Sequence, residues 1–224
     1  MKTIKIIIAA ALIFTVSGIN AQTLNWQNHE QIKSQIISLN IGWDYASTWG
    51  IGYGYQLNTK LPIVLKGEFS SPSGKNLFDD FKVKLGAQIR WFKAGDFCFS
   101  TEVDGVFRRY ENDYARLLNF GSYMSGTFGY YKPKWFVAAD GGFDKAIVTH
   151  VKNSTAMKEN YPGAQDGWYQ PATGGNFFYG LQAGYTLKNS DLTLKAGKVI
   201  EQDLKTEPMV PLYFQIGYNR RIGR

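Results

Sequence analysis

Phe81-Lys82-Val83-Lys84-Leu85-Gly86-Ala87-Gln88-Ile89-Arg90-Trp91 decides how this chain is read. In an extended chain Phe81, Val83, Leu85, Ala87, Ile89 and Trp91 share one face, and Lys82, Lys84, Gly86, Gln88 and Arg90 share the other. Such strict alternation describes a strand with one apolar face and one polar or glycine face. Wound as a helix, the same residues would place charge all around the cylinder.

The pattern recurs on both sides of that stretch. Ile37, Leu39, Ile41, Trp43 and Tyr45 alternate with Ser38, Asn40, Gly42 and Asp44. Trp49, Ile51, Tyr53, Tyr55 and Leu57 interleave with Gly50, Gly52, Gly54 and Gln56, and Leu212, Phe214, Ile216 and Tyr218 with Tyr213, Gln215, Gly217 and Asn219. About ten strands of on the order of ten residues follow, with eight or twelve as the alternatives; ten residues let a tilted strand cross a bilayer. They start near Ile36, Thr48, Pro62, Phe81, Phe97, Leu117, Trp135, Asn176, Asp191 and Val210.

The connections alternate in length. Asn58-Thr59-Lys60, Lys93-Ala94-Gly95, Lys132-Pro133 and Lys188-Asn189-Ser190 read as tight turns. Ser71 to Asp80, Arg109 to Arg116, Val148 to Gly175 and Glu201 to Met209 read as long loops, while the first loop, Ala46-Ser47-Thr48, is short. Trp91, Phe92, Phe97, Tyr130, Tyr131 and Trp135 cluster beside the tight turns, and Trp43, Tyr45 and Trp49 mark the opposite rim. Trp and Tyr, apolar in body and polar at the tip, favour membrane interfaces. The expected fold is therefore all-β, a single antiparallel up-and-down transmembrane β-barrel, the closed form in which strands satisfy their backbone groups in lipid. A soluble exported barrel of the lipocalin kind is the rival; it would turn its apolar faces inward.

The first residues set the expected compartment. Lys2 and Lys5 precede the apolar run Ile6 to Val16, and Ser17-Gly18-Ile19-Asn20-Ala21 supplies small residues for cleavage. Residues 1–21 thus read as a secretory signal peptide, too short in its apolar core to span a bilayer. Residues 22–34 read as a short polar periplasmic leader, and 35–224 as the barrel domain. Loss of Lys2 and Lys5 leaves 23 of the 25 basic residues against 18 acidic ones, spread without a block, so a nucleic-acid partner is not expected. The single cysteine, Cys98, excludes an intrachain disulfide.

On these strands, turns and aromatic rims the chain resembles the small Gram-negative outer-membrane β-barrel proteins, over nearly all of the sequence after Ala21. The resemblance implies residence in the outer membrane, contact with its lipid and lipopolysaccharide, and insertion by the outer-membrane assembly machinery, which reads an aromatic-rich last strand. Tyr213, Phe214 and Tyr218 match that strand, whereas family members often end in Phe and this chain ends Arg220-Arg221-Ile222-Gly223-Arg224.

With apolar faces outward, Asp44, Lys66, Glu68, Lys82, Lys84, Arg90, Glu102, Asp104, Asp140, Asp144 and Lys195 point inward as a candidate lumen charge network. Ten strands enclose a backbone cylinder of roughly 20 Å, little of it left once long side chains enter. Lys84 is expected to approach Glu102 and Asp104. Buried charges are costly unless paired, which favours a plugged lumen over a pore.

Chemistry has few candidates. His29 lies in the leader and His150 at the longest loop; a hydrolase reading could enlist Asp144 and Ser154 with His150, but no spacing demands them. No catalytic, cofactor or metal site is assigned. Val148 to Gly175 is the candidate extracellular contact loop, with Tyr161, Trp168 and Tyr169 offered to a ligand or folded over the mouth as a lid. The functional expectation is a structural or interaction barrel with a largely plugged lumen and extracellular binding loops. The alternatives are a narrow porin-like diffusion channel and an outer-rim hydrolase acting on lipid A or peptides.

Overall fold

A computed structural model describes residues 23–30, 35–43, 46–73, 78–170, 175–205, 208 and 210–223. The signal-peptide reading of residues 1–21 and the inward assignment of Asp44 lie outside them. The strands are β1 (Gln35–Trp43), β2 (Ser47–Leu57), β3 (Ile63–Pro72), β4 (Asp80–Ala94), β5 (Phe97–Glu111), β6 (Ala115–Tyr131), β7 (Trp135–Asn153), β8 (Gly167–Tyr169), β9 (Gly175–Leu187), β10 (Ser190–Glu201) and β11 (Leu212–Ile222). A short helix, α1 (Thr155–Asn160), precedes β8.

Ten of these strands form an antiparallel up-and-down barrel, and β8 is an eleventh, three-residue strand on the edge of β7. The sheet closes because β1 pairs on both sides, Leu39 standing opposite Ile51 on β2 and Tyr218 on β11. Closure pairs the cylinder's strands on both sides, which removes the open edges another chain could extend. Each start read from the sequence falls within two residues of the observed one. At the β4–β5 turn Gly95 takes φ +62°, a left-handed conformation glycine adopts without steric cost.

Burial is inverted relative to a soluble protein. Leu85 is 65% exposed while its neighbour Lys84 is 2% exposed, and Leu39, Ile41, Leu181, Leu194 and Ile216 likewise face out beside buried Asn40, Gln182, Lys195 and Gln215. That polarity excludes the lipocalin-like rival. An exterior of Leu, Ile, Phe and Val is stable only in hydrocarbon, and its two rims carry aromatic belts. Phe92–Phe99, Phe97–Phe128, Phe97–Tyr130 and Tyr130–Trp135 lie 5.1–5.9 Å apart beside the tight turns. Around the other rim run Trp49–Phe69, Phe69–Phe81, Phe81–Phe107, Phe107–Phe120 and Phe120–Trp168, at 5.1–6.0 Å. The chain is a membrane-spanning β-barrel.

Three expectations need correction. Tyr131 belongs to no belt; it is buried inside, stacked 5.2 Å from Phe136, because it shares the inward parity of Tyr123 and Thr127. Arg109 to Arg116 is not a long loop, since β5 runs to Glu111 and β6 starts at Ala115. Asn112 closes that hairpin by accepting from the N–H groups of Tyr114 and Ala115. Residues 23–30 are no trailing leader: they enter the tight-turn end of the barrel, where Thr23, Leu24, Asn25, Trp26 and Asn28 are buried.

Candidate functional site

The lumen is built in rows, because antiparallel register sets inward residues of neighbouring strands side by side. Lys66 on β3, Gly86 on β4 and Asp104 on β5 share one row. The glycine is the device: with no side chain between them, Lys66 reaches across β4. Its Nζ pairs with Glu102 and lies 3.2 Å from Asp104 Oδ2. A Cβ on Gly86 would sit 2.3 Å from Asp104 Oδ1 and 2.0 Å from Val103 O. Lys84, the neighbour expected for these two acids, stands opposite Val106 and Glu68 in the ladder, and Lys66 joins it as the cation that pairs with Glu102 directly. Lys84 Nζ also lies 3.8 Å from the centre of the Tyr123 ring, a cation–π contact. Glu68 accepts from Asn40 Nδ2 at 3.1 Å.

The remaining predicted charges disperse. Lys195 pairs with Asp140 at 2.7 Å on the far wall. Lys82 is buried higher on β4, and Asp144 is buried opposite Tyr123 and Asn176. Arg90 donates to the Trp26 carbonyl at 3.1 Å. So the inward charges form one five-membered group around Lys66 and several local pairs. Alternation extended to the strand ends would have added four inward groups that were missed. Arg108 holds Asp80 through two bonds of 3.0 and 2.7 Å, and Arg221 pairs with Asp191. The arginine-rich end of the chain is therefore a continuing strand with Arg221 turned inward.

Below the charges sits the segment 23–30. Trp26 Nε1 donates to Ser100 Oγ at 3.2 Å, and Asn25 Nδ2 to Lys132 O and Thr186 Oγ1 at 3.0 and 2.9 Å. Asn28 Nδ2 donates to Pro133 O at 2.9 Å, and Asn219 Nδ2 to Thr23 O at 2.5 Å. These partners lie on β5, β9, β11 and the β6–β7 turn, so the segment spans the bore. Leu24 and Trp26 join Ile36, Val64, Cys98, Tyr131, Phe136 and Ala138 in one buried apolar cluster. Cys98 is a packed side chain of that cluster. Nearer the end of the longest loop Val106, Tyr123, Phe178, Val199 and Tyr213 form a second cluster. The Phe178 and Tyr213 rings occupy space left by Gly142 and Gly197. A recess beside Lys66 and Glu68 has a volume of about 10 Å³, space for roughly one water.

The longest loop is ordered by Asp166, whose Oδ1 accepts from the Asn153 N–H at 2.8 Å and whose Oδ2 accepts from Lys158 at 2.8 Å. The bond from Lys158, then that from the Asn153 backbone, draws its carboxyl down to about 2. Trp168 on β8 sits 62% exposed against His150 at 4.8 Å, on the outer face. Tyr169, opposite Thr149, takes the other face of β8 and its hydroxyl donates to Gln165 O. Tyr161 closes α1, its N–H donating to Met157 O at 2.9 Å. Trp168 thus completes the outer aromatic belt, away from the barrel mouth. His150, Asp144 and Ser154 do not converge: Asp144 is in the lumen, His150 faces out, and Ser154 caps α1 by accepting from Met157 N–H.

No family model matches the sequence, and no curated protein does. Among solved structures the chain is similar to the KdgM porin, at 8% identity and a TM-score of 0.43 over 84% of this chain and 99% of that one. It is also similar to the outer membrane enzyme PagL, at 11% identity and a TM-score of 0.36 over 84% of this chain and 99% of that one. The likeness to OccAB2 of Acinetobacter baumannii has 12% identity and a TM-score of 0.24, covering 82% of this chain and 58% of that one.

Proposed function

We propose that this barrel is a closed structural and interaction protein of the outer membrane, with a plugged lumen and its working surface at the extracellular end. One observation carries the reading. The segment 23–30 is hydrogen-bonded across the periplasmic opening, beneath the ion-paired group of Lys66, Glu102 and Asp104. A solute would have to displace both, each at the cost of buried polar groups left unpaired. The partners are membrane lipid along the apolar wall and lipopolysaccharide at the upper belt and loops. The scattering of His150, Asp144 and Ser154 supports a non-enzymatic role.

The test is single-channel recording of the refolded protein in planar bilayers. Conductance near the bilayer baseline is expected. A large, steady conductance would overturn the closed reading and put the diffusion channel in its place.

A further inference from the structure

Beyond the upper aromatic belt, β5, β6 and β7 run on with their outward faces still in register. Arg109 stands beside Leu118 and His150, and one step higher Glu111 stands beside Arg116 and Lys152. Arg116 and Lys152 are thus directly opposite on neighbouring strands. Like charges so placed repel. The acids around them are engaged elsewhere: Glu111 accepts from Arg109, and Asp166 from Asn153 and Lys158. Among the described residues neither Arg116 nor Lys152 has an acidic partner, and Nε of both Arg109 and Arg116 is buried without a hydrogen bond. On the same face Phe107 lies two residues below Arg109 and Phe120 four below Arg116, and Trp168 packs on Phe120 at 6.0 Å.

We infer that Arg116 and Lys152, with Arg109 and His150 beneath them, form a binding site for the phosphorylated headgroup of an outer-leaflet lipid. A phosphate between the two cations would turn the repulsion into two charge-assisted contacts, and a guanidinium presents the planar fork that phosphate oxygens match. A lipid is the occupant because the site faces outward, just above the belt that marks the interface. Acyl chains descending from a headgroup there lie along Leu118, Phe107 and Phe120. This rests on the reading of the barrel as an interaction protein and names a ligand class for its upper rim.

Native mass spectrometry of the intact barrel in detergent, titrated with bisphosphorylated lipid A or with the same lipid dephosphorylated, tests it. Retention of the phosphorylated form alone is expected. Arg116→Gln with Lys152→Gln should weaken it by on the order of tenfold or more, as for a lost charge-assisted bond. Lys60→Ala, on the opposite rim, should leave it unchanged. Arg116→Lys keeps the charge without the fork and should weaken binding less than the double variant. The altered side chains lie above the membrane, and heat-modifiable mobility in gels confirms that each variant has folded. Equal binding of the dephosphorylated lipid, no loss in the double variant, equal loss in Lys60→Ala, or displacement by millimolar inorganic phosphate would each overturn the site. Conductance is read independently, so a failed site leaves the closed-barrel reading standing and an open pore leaves the site standing.

Discussion

Replacing Lys66 with Met would test the lumen at its most connected point. Lys66 Nζ lies 3.2 Å from Asp104 Oδ2, which at an effective dielectric of 20 is a gross attraction of about 5 kcal/mol. Desolvation cancels much of it in the intact protein, so the pair adds little net stability while both members are present. Removing the cation alone leaves Glu102 and Asp104 buried beside each other, with Lys84 the nearest remaining positive charge. Loss of one partner of a buried pair costs about 3–5 kcal/mol. Reversible urea unfolding of the refolded barrel in detergent would measure it.

The informative quantity is a double-mutant cycle. Lys66→Met with Glu102→Gln should recover about 2–3 kcal/mol of the summed losses, the upper part of the roughly 0.5–3 kcal/mol found for residues in contact. The same cycle between Lys84→Met and Glu102→Gln should recover less than about 1 kcal/mol, since Lys84 faces Glu68 and the Tyr123 ring. Strong coupling for Lys84 and none for Lys66 would refute the row assignment and place β3 out of register against β4.

Four further outcomes are expected. Gly86→Ala should destabilise the barrel by about 1–3 kcal/mol in the same unfolding assay, because its Cβ would meet Val103 O and Asp104 Oδ1. Leu85→Arg, on the lipid face, should cost about 2–4 kcal/mol and Gln88→Arg, on the lumen face, less; the reverse order would shift the inside–outside assignment by one residue. Deleting residues 22–30 should raise single-channel conductance above the wild-type baseline, whereas an unchanged baseline would show that the charged rows alone seal the lumen. Asp166, held near 2, stabilises the loop fully above the ordinary aspartate value near ~4 and releases it as pH falls through about 2. Exchange protection of the Asn153 amide, corrected for intrinsic rate, should persist to pH 4, fall toward pH 2, and be lost at neutral pH in Asp166→Ala, which removes its acceptor.

The wall of this barrel was legible because a period of two is a local signal. Every second residue of β4 reports its own side, and the tight turns fix where each strand reverses. Where the local signal fails, so did the reading. Bulges between Arg90 and Phe92 and between Phe120 and Gly121 break the register, and the hairpins of β5, β6 and β7 outrun the membrane. Arg109 to Arg116 looks like a loop only because its residues are charged. Charge on a strand means loop or lumen when the strand is in lipid, but beyond the belt it is compatible with continued pairing.

The lumen was half legible, and the missing half is a matter of partners. Parity identifies Lys66, Lys84, Glu102 and Asp104 as inward, yet which cation meets which acid depends on two inter-strand registers at once. It depends also on the residue between them, and Gly86 lets a side chain on β3 reach past β4 to β5. A large residue at that position would have left Lys84 the more natural partner, as adjacency on paper suggests. The plug was harder still, because within residues 23–30 Trp26–Glu30 is a single short 3-10 helix and carries no period of two. Their signal is chemical: Leu24 and Trp26 are large apolar residues in a polar stretch, flanked by Asn25 and Asn28. The amides of those asparagines satisfy Lys132 O and Pro133 O at the ends of strands that would otherwise open to water. An indole anchored by apolar packing and amides that cap backbone carbonyls are what a segment needs in order to seal a barrel from inside.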